Sequence, residues 1–108
     1  MSPDLYGQLL EEMRVVRGAR SSHDTRTAPG PDVPRPRLAA GYAFAAGLDQ
    51  LSRFRIQHQE AASAIYRQYQ AVCPVPIELR SPRLDMLRAA ALLLAEIERL
   101  DQGEQAQK

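Results

Sequence analysis

No proline occurs between Pro36 and Pro74, and across that interval the apolar residues fall in steps of three and four. The series is Phe44, Leu48, Leu51, Ala62, Ile65, Tyr69 and Val72, with Arg55 and His58 occupying the gap in its middle. A seam with a period near 3.5 marks a helix with one buried stripe. The residues between, among them Ala45, Ala46, Gln50, Gln57, Glu60 and Gln68, are helix formers or polar. Pro36 suits a first helical turn, and Pro74 drives Cys73 out of helical geometry. One long helix over 37–72 is therefore expected. Such a helix approaches ~50 Å, against roughly 26 Å for the diameter of a compact chain of this size. It must protrude, kink near Gly41 or Gly47, or pair with another copy of itself.

Two further helices are expected on either side. Ser2-Pro3-Asp4 is a start signal, with a cap, a proline at the first helical position and an acid in the first turn. Leu5, Leu9, Met13 and Val16 then share one stripe and Gly18 is a natural stop, giving a helix over 3–17. Ser81-Pro82 repeats the start signal and opens a helix over 82–102, followed by a frayed tail at 103–108. In that last helix Leu84, Leu87, Ala91 and Leu94 form one line, with Met86, Ala90, Leu93, Ile97 and Leu100 beside it. So broad a stripe predicts burial on more than one side. Asp85 with Arg88, and Glu96 with Arg99, are spaced to pair on the wet face.

The segment 18–36 has no periodicity and holds Pro29, Pro31, Pro34 and Pro36 with the polar run 21–27. It reads as a flexible Pro/Arg-rich arm. A Pro-rich turn spans 73–81. The expected fold is all-α, a single small domain over 1–108. Three helices are arranged around one central helix, and the third returns antiparallel onto the Ile65–Val72 zone.

At 108 residues the chain is one domain, and a net charge of +1 gives no global field toward nucleic acid or membrane. The charge is uneven, however. Residues 13–55 hold eight Arg and three Asp, a local +5. All basic residues except Lys108 are Arg, a bias that fits a GC-rich bacterial or phage genome. The one cysteine, Cys73, cannot form an internal disulfide and fits a reducing, cytoplasmic setting. The acidic, amphipathic start does not resemble a secretion signal, and no apolar run is long enough to span a bilayer.

No phosphate loop, nucleophile elbow or converging metal ligands are visible, so no catalytic residue, cofactor or metal is assigned and the protein is not expected to be an enzyme. His58 has no ligand at helical contact spacing, and Cys73 at a helix C-terminus reads as a packing residue. The expected function is a non-enzymatic helical interaction protein, an adaptor, accessory subunit or inhibitor. It would form a homo-oligomer or dock on a larger protein partner. Its candidate interface is Gly41, Phe44, Gly47, Leu48, Leu51, Arg55 and His58, where small residues permit close approach and polar ones interrupt the seam. The alternative is a nucleic-acid-binding accessory protein using Arg35, Arg37, Arg53 and Arg55, with Tyr66 and Tyr69 as further aromatic surface.

Overall fold

The computed structural model describes residues 3–18 and 33–106, and every regular element within them is a helix. The elements are α1 (Pro3–Gly18), α2 (Arg35–Ala46), α3 (Gln50–Gln57), α4 (Ala64–Val72) and α5 (Pro82–Ala106). The all-α class stands. Most of the expected arm, residues 19–32, lies outside the described residues. Arg35 and Pro36, placed in that arm by the sequence reading, instead open α2.

The single helix expected over 37–72 is three helices, and the cause is local capping chemistry. Gly47 follows the last residue of α2, one of the two positions at which a kink was expected. Asp49 then adopts an extended backbone and its carboxylate accepts the Ser52 N–H at 2.7 Å, which starts α3 afresh. That hydrogen bond holds the exposed Asp49 carboxyl below its ordinary range. The second break was not anticipated. Gln59 takes a left-handed φ of 53°, and Ser63 caps α4 by accepting the Tyr66 N–H at 3.2 Å. Ser, Thr, Asp and Asn side chains satisfy the orphan N–H groups of a first turn, so each can restart a helix inside an otherwise helical pattern. The polar interruption at Arg55 and His58 is thus the end of α3.

The organising element is α5. It lies antiparallel to α2, with Arg35 near Glu96 at one end and Ala45 near Asp85 at the other. It also packs along α1, whose N-terminal half meets residues 83–90 while Arg17 meets Glu98, so these two helices run the same way. The antiparallel return is therefore present but onto α2, and the expected docking on Ile65–Val72 is corrected: α4 packs on α2 and α3. Small residues explain the choice. Ala39 and Ala45 of α2 face a buried set on α5 that includes Ala89, Ala91, Leu92 and Ala95. Alanines on both sides let ridges and grooves approach closely.

Gly41 serves the same purpose between α2 and the end of α4. A Cβ at this position would lie 2.8 Å from Cys73 Cβ and 3.3 Å from Tyr69 Cε1. Tyr66, read as aromatic surface, and Tyr69, placed on the apolar seam as well as on that surface, are buried core residues, and the Tyr69 hydroxyl donates to the Val75 carbonyl. Burial pushes the Tyr69 phenol far above its ordinary value. Cys73 is fully buried, as a packing cysteine should be.

Candidate interaction surface

The inner face of α5 is fastened by a polar layer. Asp85, expected on the wet face beside Arg88, is completely buried. Ser81 starts the helix by accepting the Leu84 N–H, and that start carries Asp85 inward. Its Oδ2 accepts from Arg53 Nη2 at 2.5 Å and its Oδ1 from the Arg80 N–H at 2.9 Å. Arg53 also donates to the carbonyls of Ala45 and Arg80, each at 2.7 Å. One guanidinium therefore ties together α2, α3, the 73–81 segment and α5. A buried ion pair needs further hydrogen bonds to offset its desolvation, and here two carbonyls on Arg53 and a backbone N–H on Asp85 supply them.

A second cluster fastens α1. Glu12 accepts from Arg80 Nη2 and Arg88 Nε, both at 2.7 Å. Burial raises the Glu12 carboxyl, but hydrogen bonds from the two Arg outweigh it and hold the group below its ordinary range. Arg88 also lies over the Tyr42 ring, 5.9 Å from its centroid. Of the two helical pairs expected on α5, Glu96–Arg99 forms and Asp85–Arg88 does not, because each of the latter has a better partner elsewhere.

These contacts fix the rotation of α5, and so decide which side faces out. The outward side is apolar. Met86, Leu93, Ile97 and Leu100 are 46–54% exposed, with half-buried Ala90 between them. Tyr6 and Leu10 of α1 extend this surface at 56% and 63% exposure. A groove of about 350 Å³ joins the two helices, lined by Leu5, Tyr6, Leu9, Arg83, Met86, Leu87 and Ala90. Met86, Ala90, Leu93, Ile97 and Leu100 are the second line of the broad stripe. They were expected to be buried by the fold, but Met86 and Ala90 only border the α1 groove, and Leu93, Ile97 and Leu100 are about half exposed.

The residues named from the sequence as an interface scatter. Gly41 is buried against Cys73, and Phe44 and Leu48 are half-buried against the core. Gly47, Leu51, Arg55 and His58 are exposed. The His58 ring packs on Phe54, with centroids 4.0 Å apart. Of the four Arg named for nucleic acid, Arg53 is buried in the Asp85 pair and Arg35 is half-buried near Glu96, while Arg37 and Arg55 are exposed. Among the described residues no cluster of three His, Cys, Asp or Glu side chains is placed to hold a metal ion.

No protein-family model, curated protein or solved structure matches this chain.

Proposed function

We propose that this protein is a non-enzymatic helical interaction module, an adaptor, accessory subunit or inhibitor, whose contact surface is the outer face of α5 with the adjoining edge of α1. The observation that supports this reading is a contiguous row of large apolar side chains left in water. Burying one such side chain contributes about 1.5–3 kcal/mol relative to leaving it exposed, and monomers rarely display extended apolar patches. The interface is thereby moved from the Gly41–His58 zone, where Gly41 already has internal neighbours in Cys73 and Tyr69. Among the described residues no helix is long and apolar enough to cross a membrane. A reducing, cytoplasmic setting goes with the same reading, on the strength of the lone buried Cys73.

The nucleic-acid alternative is less well supported, since Arg53 is engaged inside the fold and Arg37 and Arg55 alone are not a dense basic patch. A comparison of the full chain with its Leu93→Glu/Ile97→Glu variant tests the main reading. Light scattering across a concentration series, together with partner capture, is expected to show association by the wild type and its loss in the variant. A wild type that stays monomeric and captures nothing, just like the variant, would remove the basis for the reading. Nucleic-acid binding that falls steeply with salt and is lost on Arg37→Ala/Arg55→Ala would favour the alternative.

A further inference from the structure

We infer that the occupant of the α5 face is a second copy of the same chain, its α5 lying antiparallel across a two-fold axis. This rests on the interaction reading above and goes beyond it in naming the partner, the seam and the direction.

The first argument is the spacing. Met86, Ala90, Leu93, Ile97 and Leu100 alternate in steps of four and three along an unbroken helix. That alternation is the heptad seam that lets a helix face pack on another by knobs into holes, and a two-fold axis makes one such seam its own complement. An antiparallel register can set Met86 against Ile97 of the second copy and Ala90 against Leu93. In each pair a smaller or more pliant side chain meets a branched one.

The second argument is area. Six large side chains on α5 and α1 are about half exposed, and Leu94 beside them is 38% exposed. With roughly 200 Å² for a large apolar residue, the open surface comes to about 700 Å² per copy, near the ~800 Å² per partner of a standard interface. An amount this size is enough for a stable dimer and is more than a solitary small domain ordinarily leaves in water.

The third argument is charge, and it sets the direction. Arg83 and Asp101 are both exposed and flank the same side of the seam at its two ends, five helical turns apart. Antiparallel pairing brings Arg83 of each copy toward Asp101 of the other. Parallel pairing leaves Arg83 of one copy and Asp101 of the other at opposite ends of the seam, so the two charges cannot meet. The tightly fastened inner face of α5 leaves the outer one free to make this contact without rearrangement.

Sedimentation equilibrium on the full chain tests the inference, with circular dichroism as a check that each variant is folded. The wild type is expected to be a dimer, and Leu93→Glu/Ile97→Glu a folded monomer with self-affinity reduced at least 100-fold. Arg83→Asp and Asp101→Arg should each weaken the dimer, by roughly threefold or more at low salt, because rim pairs are individually small. The double variant Arg83→Asp/Asp101→Arg should restore it. A wild type still monomeric at about 1 mM, where even a weak association of −4.1 kcal/mol would show, overturns the inference. So does a dimer indifferent to Leu93→Glu/Ile97→Glu, or one that the charge swap does not restore. A monomer that nonetheless captures another protein through Leu93 and Ile97 overturns self-pairing while leaving the interaction reading intact.

Discussion

The two sides of α5 are built from opposite materials. The inner side is mostly small or charged, with Ala89, Ala91, Ala95 and Asp85 buried beside Leu87 and Leu92, and the chain's own helices close over it. The outer side is large and apolar, with Met86, Leu93, Ile97 and Leu100 each about half exposed among the described residues. A helix that only had to hold this fold together would not need a second line of large residues facing outward. The difference separates what α5 does for the fold from the surface proposed for a partner, and the two sides should respond differently to substitution.

The largest contrast concerns the buried pair. Asp85→Ala leaves the Arg53 guanidinium buried without its counter-charge, and is expected to cost about 3–5 kcal/mol in chemical denaturation. A cost under 1 kcal/mol would mean that this layer does not fix the rotation of α5. A matched pair of substitutions sharpens the comparison. Ala91→Leu forces volume into the α2–α5 contact and should cost about 1–3 kcal/mol, whereas Ala90→Leu, beside it on the groove, should change stability by under 0.5 kcal/mol. Equal costs at the two positions would erase the distinction between the faces.

A smaller effect comes from pH. The folded Glu12 carboxyl lies below its ordinary value of 4.5 because Arg80 and Arg88 hydrogen-bond its charged form. Its contribution is therefore complete above that value and lost as pH falls through the folded value. A melting temperature followed downward from pH 6 should decline on entering this range, and Glu12→Gln should flatten the decline. An unchanged profile in the variant would assign the acid sensitivity to other carboxylates.

The helix class, both outer helices and the Ser81-Pro82 start were legible in the sequence because they rest on local rules, whereas α5 runs on to Ala106 through part of the tail expected to fray from 103. The division of 37–72 was only half legible. Gly47 drew attention, but Asp49 and Ser63 look ordinary inside a 3–4 pattern until their side chains are seen turning back onto Ser52 and Tyr66. Asp85 was misplaced because helical spacing offers it Arg88, while a distant Arg53 offers a dry and better-bonded site. The outer residues of α5 were visible as a second apolar line. Periodicity states that such a line prefers burial, and it is silent on whether the same chain or another provides it.

The central claim is that the outer side of α5 is the surface on which this protein meets its partner, itself. Methyl NMR of the full chain on dilution tests it most directly, since Met86, Leu93, Ile97 and Leu100 report one surface while Leu48 and Leu51 report the zone first named from the sequence. The account expects concentration-dependent shifts gathered at the α5 methyls, with Leu10 following and Leu51 still. Shifts centred on Leu48 and Leu51, or none anywhere across the dilution, would contradict it.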